Sequence, residues 1–477
     1  MEAKLRKGQR CLIRGISDGS IIIRGGLLEI FGAIIGAEKE VRVPRGRVLP
    51  TRVLEDTTLL INGCEISNIS NELFPEEWYH TITLIEEQAK RVKPLIISVL
   101  GYTDVGKSSF ILLATNILVN KGLKIGICDA DIGQSKIGPP GVIGAAVISK
   151  QLIDLTDLPM KNGYFVGDKT PEGHLLPCIV GVSKMISFLR ERSDIIFIDT
   201  TGMIYGGPAR ALKLYKMEII KPKIVIILER ERESEHLSRM LRHSVEKIIR
   251  LPAPKTLKTT GRELRIALRS YSFQKFIEKV SLKTLELDIN TVSFQECVFG
   301  SGYPLENPAK IFEDNTILWA EISPDVFLII TREPKHVQAR EELITKARRL
   351  LVSIKTIYIA SKMKLTEEII RKSPILSKMD LKTVENIARI IFRRNIQDIR
   401  IQIIPKSTYN NLYVGLLDEN GELLGVGILK DIDFQARKLK VKAAYIHQER
   451  EPSIIKMGYL RLNDDWIEIG KRRIGVG

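Results

Sequence analysis

A glycine-rich loop is the first feature of this sequence that could do chemistry. Residues 101–108 read GYTDVGKS and match the pattern GxxxxGK[ST]. In such a loop the backbone N–H groups close around phosphates, and the following helix adds partial positive charge. We expect Lys107 to reach the β- and γ-phosphates and Ser108 to bind Mg²⁺. The other expected nucleotide-binding residues are Gly101, Thr103, Asp104, Val105, Gly106 and Ser109.

Three carboxylates end the strands that are expected beside this loop. Asp129 ends the predicted strand 124–129, Asp131 follows two residues later, and Asp199 ends the predicted strand 195–199. Ligands bind where the carboxyl ends of parallel strands meet. One of Asp129 and Asp131 could hold Mg²⁺ and the other could accept a proton from an attacking hydroxyl, or Asp129 could only cap a turn. Asp199 is placed like a Walker B acid that supports Mg²⁺.

The nucleotide base is only partly constrained by the sequence. No [NT]KxD segment follows a later strand. The carboxylate that usually selects guanine is therefore missing, which favours ATP or a relaxed base preference.

A basic stripe follows the predicted strands of this region. Arg262, Arg265 and Arg269 are spaced i, i+3, i+7 after Gly261, which places them on one face of a helix. The permanent charge of arginine and its several donors suit it to bridging phosphate oxygens. The alternative is a solvated basic face.

The elements that must position these residues predict an α/β protein. Apolar strands at 95–100, 124–129, 195–199 and 224–228 alternate with helices, which predicts a mostly parallel sheet in a central P-loop NTPase domain. We expect this domain at 81–285, with a lid near 255–275. Short strands predict a small N-terminal β-sandwich-like domain at 1–80. The rest, 286–477, reads as a C-terminal α+β domain with a helical insertion near 335–395.

The net charge and the spacing of cysteines and histidines favour some classes of protein and argue against others. The 477 residues carry a formal net charge of +16, which favours polyanionic partners. The five cysteines show no CxxC spacing and the six histidines no HxxxH spacing, so neither a disulfide framework nor a zinc site is predicted. With no signal-peptide pattern and no uncharged run of about 20 residues, we expect a cytoplasmic protein without membrane contact.

Together these residues resemble the Clp1/Grc3 family of polynucleotide 5′-hydroxyl kinases. The resemblance rests on TDVGKS at 103–108, DIGQ at 131–134, FVGDKTP at 165–171 and TTG at 200–202, with further matches near both ends of the chain. It implies ATP- and Mg²⁺-dependent transfer of the γ-phosphate to the 5′-hydroxyl of RNA or DNA. The choice between RNA and DNA stays open.

The resemblance also implies roles for individual residues. Asp131 becomes the candidate general base, and Gln134 positions substrate or a metal-bound water. Thr170 lies in the segment that clasps the terminal nucleotide, while Glu29 matches a position linked to adenine recognition. The lid arginines would contact the ATP phosphates. Met203, with Tyr205 nearby, stands where eukaryotic members carry a Trp that stacks on the substrate base.

The sequence is compatible with three functions. The first is the 5′-kinase, for which the intact Lys107, Ser108 and Asp131 argue. The second is an ATP-bound scaffold in an RNA-processing complex with little or no kinase activity. The third is an ATPase or GTPase switch, against which the matching flanking segments and the missing base-selecting motif argue.

Overall fold

The computed structural model describes residues 1–255, 261–446 and 450–472. The chain forms two compact units, Met1–Ser281 and Leu282–Gly477. The N-terminal strands and the P-loop sheet share the first unit, and the boundary near residue 80 stays a prediction. The predicted lid near 255–275 includes residues 256–260, which lie outside the described residues.

An antiparallel sheet begins the first unit. Its strands are β1 (Glu2–Leu5), β2 (Arg10–Gly25), β3 (Leu28–Ile30), β4 (Ala33–Ile35), β5 (Glu40–Val43), β6 (Val48–Val53) and β7 (Thr57–Asn68). They pair in the order β1-β7-β2-β6-β3-β4, and β5 pairs with β2. The long β2 pairs with β6 along its first half and with β5 along its second, while β7 follows both halves. Side chains alternate across these strands, so Ile21 and Ile23 are buried.

One predicted strand of this region is a hairpin. The apolar run 27–33 predicts a single strand, but β3 and β4 pair antiparallel around Phe31 and Gly32. Both turn residues have positive φ, 49° for Phe31 and 75° for Gly32. Tertiary packing therefore overrides the strand propensity of the run. The Phe31 ring at this turn contacts Phe74, which matters for the site below.

A seven-stranded sheet forms the rest of the first unit. Its elements in chain order are α1 (Glu76–Ala89), β8 (Leu95–Gly101), α2 (Lys107–Val119), β9 (Ile125–Ala130), β10 (Val142–Ile148), β11 (Asn162–Phe165), α3 (Leu175–Arg190), β12 (Ile195–Thr200), α4 (Gly206–Ile220), β13 (Ile224–Glu229), α5 (Glu235–Leu241), β14 (Lys247–Pro252) and α6 (Arg262–Ile277). The strand order is β11-β10-β9-β12-β8-β13-β14.

The predicted mostly parallel sheet is confirmed. β9, β12, β8, β13 and β14 run parallel, whereas at one edge β10 pairs antiparallel with β9 and β11 pairs antiparallel with β10. Every residue of β8, β9, β12 and β13 is buried, which explains their continuous apolar sequence. The carboxyl ends of β8, β9 and β12 lie side by side, so they bring the glycine-rich loop and the three aspartates to one edge.

Trp78 joins three parts of the first unit. Its ring is fully buried, stacks on Phe74 at 5.3 Å and meets Phe110 of α2 edge-on at 5.3 Å. Its indole N–H donates to the carbonyl of Pro252 at 2.9 Å. Phe74 in turn contacts Phe31 at 5.8 Å. One aromatic cluster thus fixes the N-terminal hairpin against the P-loop helix.

We expect Trp78→Ala to destabilise the protein severely. Removing this ring leaves a cavity and an unpaired carbonyl at Pro252, at a cost of about 3–5 kcal/mol in the free energy of unfolding. Urea denaturation of the variant measures this loss. Trp78→Phe keeps most of the packing and should lose less, whereas equal losses for the two variants would contradict the packing account.

The second unit contains two sheets and a helical layer. Its elements are β15 (Ser281–Asp288), β16 (Ser293–Gln295), β17 (Tyr303–Pro304), α7 (Pro308–Phe312), β18 (Ile317–Ile322), β19 (Val326–Thr331), α8 (Val337–Ala360), α9 (Glu367–Arg371), α10 (Leu381–Ile391), β20 (Arg400–Pro405), β21 (Leu412–Leu417), β22 (Leu423–Asp433), β23 (Lys438–Tyr445), β24 (Ile454–Leu462) and β25 (Glu468–Lys471).

These elements form three layers. The helices expected near 335–395 pack on one face of the sheet β17-β18-β19-β20, with Leu350 and Ile387 against Phe327. The other face of that sheet, through Leu328 and Ile330, packs on the sheet that contains β21 to β24. The predicted α+β character is thus confirmed. Within the described ranges, each helix is too short or too polar to span a lipid bilayer.

Candidate active site

The glycine-rich loop has the backbone that phosphate binding requires. Gly101 ends β8 with φ 146°, and Gly106 precedes the first residue of α2 with φ 97°, so both lie where side chains are disfavoured. The loop also passes close to the end of β12, because a Cβ on Gly202 would lie 2.4 Å from the Thr103 side chain. The loop leads directly into α2, and no side chain caps the N-terminus of that helix, which places its first-turn N–H groups at the loop.

Lys107 is held at the centre of this loop. Its ammonium donates to the carbonyls of Gly101 at 3.1 Å and Tyr102 at 2.7 Å. The residue is 7% exposed, and burial lowers its pKa while Asp199 and Asp131 oppose that shift. A cation in such a poorly solvated position interacts strongly with an incoming phosphate.

Ser108 and Asp199 form the second contact between loop and sheet. The Ser108 hydroxyl donates to Asp199 Oδ2 at 2.5 Å. Asp199 is buried, burial raises its pKa, and its Oδ1 accepts no hydrogen bond from the described residues. A buried carboxylate oxygen without a donor is costly unless a cation or water completes it. The donor set of one hydroxyl and one carboxylate fits Mg²⁺, which takes few protein ligands and completes its shell with phosphates and water.

The carboxylate of Asp129 accepts hydrogen bonds from backbone N–H groups. Its oxygens accept from the N–H groups of Lys136 at 2.5 Å, Ile137 at 2.9 Å and Asp131 at 3.1 Å. Burial, followed by the charge of Asp199, raises the pKa of Asp129 to about 7. These bonds shape the loop after β9, which is the turn-organising role that the sequence left as an alternative.

This pKa gives a stability prediction. The folded chain holds a proton on Asp129 up to about pH 7, while the unfolded chain releases it near pH 3.8. The folded state therefore loses stability as pH rises from about 4 to 7. Relative to wild type, we expect the free energy of unfolding of Asp129→Asn to increase as the pH rises through that range. Above that range the difference between the two proteins should stay constant. Urea titrations at several pH values measure the difference, and a difference that does not change with pH would contradict the assignment.

Asp131 lies in the open part of the site. Its Oδ1 accepts from the N–H groups of Gly133 at 3.2 Å and Gln134 at 3.3 Å, which fixes the carboxylate. Asp131 and Gln134 both line the cavity beside the loop. Asp131 is thus oriented by the backbone and still accessible, unlike Asp129.

A cavity of about 250 Å³ lies against the loop. Its floor is polar and contains Lys107, Ser108 and Asp131, whereas Phe31 and Phe74 from the N-terminal segment form an aromatic part of its wall. The remaining described lining residues are Leu12, Arg14, Gly46, Arg47, Val48, Pro50, Thr103, Asp104, Gly106, Ser109, Gln134, Lys136, Pro254, Leu264 and Leu268. The arrangement combines a phosphate floor with an apolar compartment for a base.

Several of these lining residues were missed by sequence reasoning. Arg47 pairs with Asp154 at 3.1 Å and lies 5.8 Å from the Phe31 ring centre, and Lys136 donates to the Gln134 carbonyl at 3.0 Å. Glu29, the predicted adenine contact, is not among the described lining residues; it lies 3.8 Å from Arg52 instead. Phe31 lies two residues after Glu29, so the position that the resemblance links to adenine recognition was the available signal.

Helix α6 covers the cavity beside the loop. Leu264 and Leu268 line it, and Arg265 donates to Asp104 Oδ2 of the glycine-rich loop at 3.1 Å. Arg269 follows one turn later, whereas Arg262 is exposed as the first residue of the helix. The structure thus brings Arg265 to the loop and confirms a helix for the stripe.

The predicted substrate residues other than Gln134 lie outside this cavity's described lining. Thr170 follows β11 in a partly buried turn, and Met203 packs against the apolar core below α3 and α4. Tyr205 is 55% exposed and lies 5.4 Å from the Tyr102 ring and 5.7 Å from His236. Tyr102 and Tyr205 present aromatic surface next to the loop.

Sequence comparisons find a family model and several named relatives that are similar to this chain. The family model described as the P-loop of the mRNA cleavage and polyadenylation factor CLP1 matches residues 101–279. A polyribonucleotide 5′-hydroxyl-kinase of Pyrococcus horikoshii is 28% identical and covers 86% of this chain and 96% of its own. One of Methanocaldococcus jannaschii is 27% identical and covers 83% and 94%.

A solved structure shares the fold over the whole length. The Clp1p chain of a wild-type Clp1p–Pcf11p complex superposes with a TM-score of 0.62 at 13% identity and covers 97% of each chain. The predicted class, a central P-loop domain with an N-terminal β part and a C-terminal α+β part, is therefore confirmed. The P-loop segment of this chain is thus similar to the CLP1 P-loop family model, and most of its length is similar to archaeal proteins named polyribonucleotide 5′-hydroxyl-kinase.

Proposed function

We propose that this protein is an ATP-dependent polynucleotide 5′-hydroxyl kinase. The observation that carries the proposal is the convergence of Lys107, the Ser108–Asp199 pair and the open carboxylate of Asp131 on one cavity. The names of the archaeal relatives support the same activity. An adenine fits the apolar compartment formed by Phe31 and Phe74, with the triphosphate directed toward the glycine-rich loop.

The reaction is a transfer of the γ-phosphoryl group. The oxygen of a 5′-hydroxyl attacks Pγ, a new O–P bond forms, and the bond from Pγ to the bridging oxygen of ADP breaks. The hydroxyl proton passes to the carboxylate of Asp131, which the N–H groups of Gly133 and Gln134 hold in place. Lys107 and the α2 N-terminus stabilise the negative charge on the transferring group.

Ser108 and Asp199 would hold Mg²⁺ in this site. When bound, Mg²⁺ neutralises charge on the β- and γ-phosphates. Asp129 serves as the anchor of the 131–137 loop through its backbone bonds, rather than as a ligand. In the described part of the chain, no group of three His, Cys, Asp or Glu side chains could hold a metal ion.

Helix α6 contributes the arginines of the lid. Arg265 reaches the loop through Asp104, so a small shift of its guanidinium brings it onto phosphate oxygens. Arg269 would act beside it, whereas Arg262 is a peripheral contributor. On the substrate side, Tyr205 with Tyr102 offers stacking surface for the terminal base, Gln134 positions the 5′ end, and Thr170 contacts the terminal nucleotide. Met203, which packs against the apolar core, lies two residues before Tyr205.

ADP formation with matched oligonucleotides tests the proposal. The substrate carries a 5′-hydroxyl, and the control has the same sequence with a 5′-phosphate. The proposal predicts ADP only with the 5′-hydroxyl form. ADP at equal rates with either oligonucleotide, or without one, would indicate a hydrolytic switch, and nucleotide binding without ADP under any condition would indicate a scaffold.

The same proposal extends to the partners of the protein and its location in the cell. RNA or DNA with a 5′-hydroxyl end is the proposed partner, and RNA-processing proteins are proposed as further partners, since the similar Clp1p chain was solved with Pcf11p. We propose a cytoplasmic location; the five free cysteines are consistent with a reducing compartment.

A further inference from the structure

A second basic cleft lies in the C-terminal unit. It encloses about 760 Å³, and four cationic side chains line it: Arg400, Arg461, Lys471 and Arg472. Glu296 is the one carboxylate among its described lining residues, and Lys456 lies 3.9 Å from it. The cleft therefore carries a net positive charge.

The cleft is an open continuation of the core between two sheets. On one face of β24, Ile455 and Met457 belong to the shared core, and the same alternation then brings Tyr459 and Arg461 into the cleft. On β20, Ile404 packs against that core, and Gln402 and Arg400 follow on the same face. Both strands thus change from apolar to polar where they leave the core.

Hydrogen bonds to backbone carbonyls orient two arginines of the cleft. Arg461 donates to the carbonyls of Asn410 and Thr408, at 3.3 and 3.1 Å. Arg472 donates to the carbonyl of Glu296 at 3.0 Å and lies 4.8 Å from the Tyr459 ring centre. Carbonyl partners orient these guanidinium groups without cancelling their charge. The buried amide oxygen of Gln402 accepts no hydrogen bond from the described residues.

We propose that this cleft binds a single-stranded segment of the polynucleotide substrate, away from its 5′ end. Arginines and an aromatic ring in a positive groove are the features that hold a single strand through phosphates and stacking. A 2′-hydroxyl or a base N–H would supply the donor that Gln402 lacks. The ligand class rests on the proposed function; the cleft itself does not.

A circular single-stranded RNA tests the cleft separately from the kinase site, because a circle has no 5′ end to phosphorylate. The variant Arg400→Glu with Lys471→Glu reverses two cleft charges, and both residues are exposed. The control, Arg371→Glu with Lys372→Glu, makes the same charge change on and just after α9. Fluorescence anisotropy gives the Kd of the full chain at several salt concentrations.

We expect the cleft variant to lose roughly tenfold or more in affinity for the circle, and its salt slope to fall by about 1.4, for two phosphate contacts. The control should bind like wild type, and both variants should phosphorylate a dinucleotide normally. The milder Arg400→Ala should change in the same direction. A cleft variant that binds the circle like wild type would overturn the proposal. Polyglutamate is measured as a second ligand, and a variant that loses affinity only for polyglutamate would also overturn the proposal and would indicate a site for an acidic peptide. Absence of any kinase activity would refute the proposed function and leave the circle result valid.

Discussion

Lys107→Ala should reduce phosphoryl transfer by about 10²–10³-fold, as expected when a preorganised donor to the transferring group is removed. The ammonium is fixed by two loop carbonyls in a buried position, so water cannot replace it efficiently. The readout is kcat with a 5′-hydroxyl oligonucleotide at saturating ATP.

A stability measurement separates this loss from unfolding. Burial lowers the pKa of Lys107, which means that the folded state disfavours its charge. Its removal also deletes two hydrogen bonds to loop carbonyls, so the two effects oppose each other and the thermal midpoint should change only modestly. Lys121→Ala, at an exposed position just after α2, is the matched control and should keep full activity. Transfer at the wild-type rate in Lys107→Ala would contradict the assigned role.

Asp131→Asn should lower kcat by about 10²–10⁴-fold, the range for loss of a general base. The amide oxygen can still accept the N–H of Gly133 or Gln134, so the loop keeps its shape, but the side chain can no longer take a proton. Because the proposed role of Asp131 is to accept the hydroxyl proton, the Kd for ATP should stay near the wild-type value.

Asp18→Asn, on an exposed part of β2, provides the control for loss of one carboxylate. Equal weakening of ATP binding and of kcat in Asp131→Asn would place Asp131 in nucleotide binding instead. A kcat close to the wild-type value would show that another group acts as the general base.

The features that the sequence revealed are those encoded locally. The strands at 95–101 and 195–200 are mostly apolar because they are buried on both faces, and the glycine-rich loop lies between a strand and a helix in continuous sequence. Such patterns need no knowledge of distant residues. The same logic identified the carboxylates as strand-end residues but could not divide their roles.

The features that escaped prediction depend on distant contacts. Phe31 reaches the nucleotide cavity because a hairpin turn replaces the predicted strand, and Arg47 is positioned by Asp154, more than 100 residues away. Asp129 and Asp131 are two residues apart, yet only the fold shows that one is buried among backbone donors and the other faces the cavity. Pairing and burial across the chain decide these roles.

The central claim is a transfer to a 5′-hydroxyl, and the position of the label tests it most directly. ATP labelled in the γ-phosphate is incubated with a single-stranded 5′-hydroxyl RNA, and the product is digested to nucleotides. The account predicts that the label is found in the 5′-terminal nucleotide alone. Label recovered only as inorganic phosphate, or retained entirely in ATP, would contradict it.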